Sequence, residues 1–181
     1  MKRLALLPLV AVALAACNDT VTNPLPVPAP RADIVTTVDP ANAKSGTHLQ
    51  AGAIGCAVGD DLSVSCSGFE LAGVGHTNAD VVLTASWAAT VDCYNPGVNP
   101  NNPIESHETT FSGTDAFTAV STKNGRMTVR AASVDPDAVA QGCPNPNWTP
   151  TIREGTLALV SFSYSLTFDG FDTPYILITG P

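Results

Sequence analysis

The sequence predicts an all-β protein: an antiparallel, immunoglobulin-like β-sandwich held by two disulfides. Three observations lead there. Apolar and polar residues alternate with period two over long runs, the signature of half-buried antiparallel strands, and no segment sustains a helical period. Charged residues make up 13% of the 181, about half the usual quarter, and Ser, Thr, Gly, Asn and Pro take their place. Four cysteines, at 56, 66, 93 and 143, form an even set in a chain whose N-terminus reads as an export signal.

That N-terminus begins with Lys2 and Arg3, continues through the apolar run Leu4 to Ala13, and ends in Leu14-Ala15-Ala16-Cys17. A positive start, a short apolar stretch and small residues before a cut describe a secretory signal. The run is too short for a bilayer core, which needs about 20 apolar residues. Leu-Ala-Ala-Cys resembles the bacterial lipobox, which implies cleavage before Cys17 and acylation of its sulfur. Residues 1–16 then form a lipoprotein signal peptide. Asn18 after the cysteine implies, by the same resemblance, outer-membrane sorting in a diderm cell. More than one acyl chain satisfies the two-signal requirement for stable anchoring. Loss of Lys2 and Arg3 leaves six basic against sixteen acidic residues, a net charge of −10. Such a surface is repelled by anionic headgroups, so the lipid alone would hold the chain at the membrane. The acidic balance also argues against a nucleic-acid partner, because phosphate neutralisation needs clustered Lys and Arg.

Residues 17–32 follow as the lipidated cysteine and a tether. Pro24, Pro26, Pro28 and Pro30 alternate, favouring extended polyproline II at ~3.1 Å per residue, a reach of roughly 45 Å. A single β domain is expected over 33–181. Its clearest strand is 81–93, with Val81, Leu83, Ala85, Trp87, Ala89, Val91 and Cys93 on one face and Val82, Thr84, Ser86, Ala88, Thr90 and Asp92 on the other. Residues 158–168 repeat the pattern, with Val160, Phe162, Tyr164, Leu166 and Phe168 expected to face in. Further strands are expected at 34–38, 47–58, 62–72 and 173–179. Asn124-Gly125 is the strongest hairpin signal, because both residues tolerate the positive φ of a type I′ turn. A two-residue loop there would pair Thr122 with Met127 and Val120 with Val129.

Four cysteines allow three connectivities. A hairpin centred on Asp61 sets Val58 opposite Val64 and Cys56 opposite Cys66, which leaves Cys93 to Cys143. With these pieces in hand, Gly55-Cys56, Ser65-Cys66-Ser67-Gly68, Cys93-Tyr94-Asn95-Pro96-Gly97, Lys123-Asn124-Gly125 and Gly142-Cys143-Pro144-Asn145-Pro146-Asn147-Trp148-Thr149 together resemble a group of small secreted bacterial proteins common in actinobacteria. The resemblance covers roughly residues 54–168 and implies a β fold with paired cysteines. It departs where Val98 follows Gly97 in place of a second glycine, and in the lipobox. It carries no catalytic residue over.

Motifs for chemistry are sparse. His107-Glu108-Thr109-Thr110-Phe111 opens like a zinc-protease HExxH but has Phe111 where the second ligand must stand, in an apparent strand or loop. No Gly-x-Ser-x-Gly elbow, P-loop or dinucleotide fingerprint occurs. The expectation is therefore no catalytic residue, no metal and no cofactor. Asp60-Asp61, Asp135 with Asp137, and Asp169 with Asp172 pair carboxylates in turns, as a calcium loop would, but turn formation alone calls for Asp there.

The candidate site is a pair of loops at the cysteine ends. One carries Tyr94 and Asn95, the other Asn145, Asn147 and Trp148. A Cys93–Cys143 bond would bring them together, offering rings for stacking and carboxamides for oriented hydrogen bonds to a sugar or peptide. The expected function is a lipid-anchored envelope protein with a non-enzymatic binding or structural domain, its partner a polysaccharide or protein. The alternative is an exported hydrolase or accessory enzyme whose site is assembled from distant residues. A binding module would expose Tyr94 and Trp148; a spacer domain would bury both.

Overall fold

The computed structural model describes residues 33–97, 102–136 and 142–181. Twelve strands run through them, with one 3₁₀ turn at Pro40–Asn42. In chain order these are β1 (Val35–Val38), β2 (His48–Gly52), β3 (Cys56–Val58), β4 (Val64–Cys66), β5 (Phe69–Ala72), β6 (Ala79–Tyr94), β7 (Glu105–Ala119), β8 (Arg126–Val129), β9 (Ala132–Val134), β10 (Thr149–Ile152), β11 (Ala158–Phe168) and β12 (Ile176–Gly180). Every pairing is antiparallel.

β6 is the spine. Along one edge it pairs with β7 from Ala79–Ala119 to Cys93–Glu105. Along the other it pairs first with β11 and then, past the turn at Arg153–Thr156, with β10. β12 and β1 complete this six-stranded sheet. The second layer comes from three runs, β2/β3, β4/β5 and β8/β9, each interrupted once. The register between 64–72 and 126–134 is the same on both sides of the interruption, from Val64–Val134 through Phe69–Val129 to Ala72–Arg126. The interruption is therefore a bend in one ribbon. Gly68 sits at the bend, where a Cβ would come within 3.0 Å of the Val129 carbonyl and the Ala131 amide.

The alternating faces meet in one core. Val81, Leu83, Ala85, Trp87, Val91 and Cys93 are fully buried, as their spacing predicts, and they share the core with Leu71, Met127 and Val129 of the second layer. Trp87 donates its indole N–H to the Leu62 carbonyl at 2.9 Å and stacks on Phe111. Gly113 of β7 lets Val134 pack directly on the strand, in space a Cβ would occupy. Arg130 crosses from the second layer to β7, where it forms a bidentate pair with Asp115 (2.7 and 2.9 Å) and lies 3.8 Å from the centre of the Phe117 ring.

An antiparallel, sandwich-like β fold with two disulfides is thus what the chain adopts. Strand order does not support the immunoglobulin-like qualifier. The three-stranded layer uses the second, third and sixth runs of the chain, whereas an immunoglobulin constant domain joins its third, sixth and seventh strands.

Three finer expectations change. The Asn124-Gly125 turn closes a three-residue loop: the Thr122 amide donates to the Arg126 carbonyl and Ser121 opposes Met127. Gly125 has φ +73° and Asn124 is not left-handed, so the turn ends in a left-handed third residue and is not type I′. Val129 then pairs with Phe69, and Val120 is 65% exposed. Val160 also points out, 51% exposed, because a bulge between Leu159 and Ser161 shifts the alternation there. The structure also adds three strands to those expected: β7, the second longest, with β9 and β10.

Candidate functional site

Both disulfides join the expected cysteines, the first by hairpin register and the second as the pair that remains. Cys56 lies directly opposite Cys66, and Cys93 of β6 bonds Cys143. The second bond, with the Tyr94–Thr149 and Cys93–Pro150 pairings of β6 with β10, brings the two expected loops to one end of the large sheet.

Tyr94 ends β6 on its outer face, opposite Thr149, and is half-buried. Trp148 precedes Thr149 and is half-buried too, its amide donating to the Asn145 carbonyl at 3.0 Å. Neither ring is as open as a binding module required, nor as covered as a spacer required. Asn95 accepts from the Gly97 amide and Asn145 from the Asn147 amide, both at 3.0 Å. Their carboxamide oxygens thus close local turns at Asn95–Gly97 and Asn145–Asn147. Asn147 is exposed.

Beside this end lies a cluster that sequence reasoning missed. Asp92 occupies an outer-face position on β6 yet is only 6% exposed. Arg153, from the turn after β10, donates to both its oxygens (Nη2 to Oδ1 2.6 Å, Nε to Oδ2 3.1 Å), and Ser106 of β7 donates from Oγ at 2.6 Å. These hydrogen bonds, from Arg153 first and Ser106 second, hold the Asp92 carboxyl below its ordinary pKa and raise that of Arg153. The pairing spans 61 residues, so the only signal in sequence is an Asp at the far end of a strand face that carries only hydroxyl and aliphatic side chains between it and Asp80.

The next step along β6 is a cavity of about 350 Å³. The outward residues Ala88 and Thr90 of β6 and Glu108 and Thr110 of β7 line it, with Thr156 as a wall. It forms where β11, which starts at Ala158 opposite Ala88, gives way to β10. Thr156 is fixed by accepting from the Thr90 amide (3.0 Å) and donating to the Arg153 carbonyl (2.8 Å).

The other candidate motifs are dispersed. His107 and Phe111 stand on strand β7, where alternation puts Glu108 on the opposite face from His107. Asp61 accepts from the Ser63 hydroxyl (2.7 Å) and amide (3.1 Å), which lowers its pKa and caps the β3–β4 turn. Asp169 and Asp172 occupy the turn between β11 and β12. Among the described residues, no three His, Cys, Asp or Glu side chains gather closely enough to hold a metal ion. Cys17, the tether and Asp137 lie outside the described residues.

No family model matches the chain, and neither a curated protein nor a solved structure matches it.

Proposed function

We propose that the protein is a lipid-anchored cell-envelope protein whose β domain binds a polysaccharide without catalysing a reaction. The observation that carries this reading is the convergence of Tyr94, Asn95, Asn147 and Trp148 at one end of the large sheet, where the Cys93–Cys143 bond joins the two segments and Asx turns order Asn95–Gly97 and Asn145–Asn147. Segments already ordered by turns and a disulfide lose less entropy on binding, and the exposed part of a ring can stack on a sugar. Two disulfides suit an oxidising compartment and so support export. The lipobox-like Leu14-Ala15-Ala16-Cys17 supports the anchor.

The test is a pull-down of the detergent-solubilised full-length protein on insoluble cell-wall and plant polysaccharides, beside Trp148→Ala and Cys17→Ala variants. Retention that is lost in Trp148→Ala, with an unchanged circular dichroism spectrum, supports the loop site. Retention by none of the polymers would overturn it. Cys17→Ala is expected to move the protein from the membrane to the soluble fraction; continued membrane association would remove the lipid anchor from the proposal.

A further inference from the structure

The outer face of the large sheet continues from Tyr94 down the whole of β6, and its chemistry is unusual for this chain. Between the cavity and the far end, the outward positions of β6 are Thr90, Ala88, Ser86, Thr84 and Val82. The register places Ser112, Thr114 and Ala116 of β7 beside them on one side. Ser161, Ser163 and Ser165 of β11 stand on the other. Two full rows, Ser112–Ser86–Ser161 and Thr114–Thr84–Ser163, consist of hydroxyls alone, and Thr84 and Thr114 lie 3.2 Å apart, Oγ to Oγ. Strands about 4.8 Å apart and side chains repeating every ~6.7 Å make this a regular grid. No charged residue interrupts it until Asp80 at one end and Glu108 at the other.

We propose that this grid is a track for an uncharged, linear polysaccharide, with the cavity at Ala88, Thr90, Glu108 and Thr110 seating one of its sugars. The assignment rests on the polysaccharide reading above and extends its site along β6. Charge selects the occupant. A chain expected to carry −10 when mature keeps one broad face neutral, so an anionic polymer would meet repulsion around it, and the rows between Asp80 and Glu108 give a cationic one no counter-charge along its length. Hydroxyls selected for donating and accepting alike match a ligand whose own polar groups are hydroxyls. The Ala88 and Val82 side chains between them offer flat apolar surface to the C–H faces of sugar rings. The cavity adds a defined seat. Short Ala88 lies at its floor, the Glu108 carboxylate can accept two hydroxyls, and Thr156 is already fixed by the backbone of Thr90.

The test uses the detergent-solubilised full-length protein with insoluble β-1,4-glucan, β-1,3-glucan and chitin as neutral polymers and alginate as the anionic one. Thr110→Lys and Ser112→Lys change exposed β7 positions on the outer face, so the fold should survive, which circular dichroism checks. The expected result is binding to at least one neutral polymer, no binding to alginate, and at least a tenfold loss of affinity in both Lys variants. Affinity should also rise with oligosaccharide length, since a track of roughly 30 Å spans several sugars. Binding lost in Trp148→Ala but unchanged in both Lys variants would overturn the track and leave the loop site standing. No binding to any neutral polymer would overturn both. A dimer, seen by analytical ultracentrifugation, that dissociates in the Lys variants would assign the face to a second copy and overturn the proposal.

Discussion

Asp92 stands on the polar face of β6, and there Arg153 and Ser106 close over its carboxylate until 6% of the residue remains exposed. Hydrogen bonds hold Asp92, and likewise Asp115 beside Arg130 and Asp61 beside Ser63, below the ordinary carboxylate value of 3.8. A carboxyl whose pKa is lower folded than unfolded contributes stability in full above its unfolded value, and loses it as pH falls through the folded one. Urea unfolding midpoints are therefore expected to hold from neutrality to about the ordinary carboxylate pKa and to fall below it. Asp92→Asn should flatten that acid slope; an identical slope in the variant would mean that the Arg153 pair does not matter to folding.

At the scale of elements, two hairpins share one device. The β3–β4 turn closes with the Gly59 amide on the Ser63 carbonyl, and the turn before β8 with the Thr122 amide on the Arg126 carbonyl. Each has a left-handed third residue, Leu62 (φ +64°) in one and Gly125 (φ +73°) in the other. Leu62 tolerates the conformation because its side chain packs against the core and its carbonyl takes the Trp87 indole. Gly125 has no such compensation, and a Cβ there would meet nothing closer than 3.5 Å. Gly125→Ala should thus cost about 1–2 kcal/mol from backbone conformation alone, read as a shifted denaturation midpoint. An unchanged midpoint would mean that the turn relaxes. β7 carries a weak strand signal of its own. Its partner supplies almost all the apolar surface, so Glu105–Ala119 alternates between hydroxyls and a few aromatics without a clear apolar run.

Across the whole molecule, two disulfides of different reach hold the layers. Cys56–Cys66 staples one hairpin over 10 residues, whereas Cys93–Cys143 closes 50 residues and ties the end of β6 to the loop before β10. On a chain-entropy model these closures stabilise by roughly 3 and 4 kcal/mol. The Cys93→Ala/Cys143→Ala pair should lower stability more than Cys56→Ala/Cys66→Ala and should also weaken polysaccharide binding through the loops. Equal effects on stability and intact binding in both would show that β10 pairing alone sets the loops. Asp-N peptide mapping without reduction checks the pairing itself, since a Cys56–Cys93 peptide is incompatible with this fold.

The all-β class, the burial of Val81, Leu83, Ala85 and Trp87, both disulfide pairings and the meeting of the Tyr94 and Trp148 loops are all legible in the residue pattern. These follow from local alternation, from a hairpin register counted over a few residues, and, for Cys93–Cys143 and the loops it joins, from elimination once Cys56 and Cys66 are paired. Tertiary structure decided the strand order, the outward turn of Val160, the Asp92–Arg153 pair, the cavity beside Thr156, and the joining of β6, β7 and β11 into one hydroxyl face. Each of those depends on which distant strand becomes a neighbour. Alternation tells which residues share a face of their own strand, but it holds no information about whose face lies beside it.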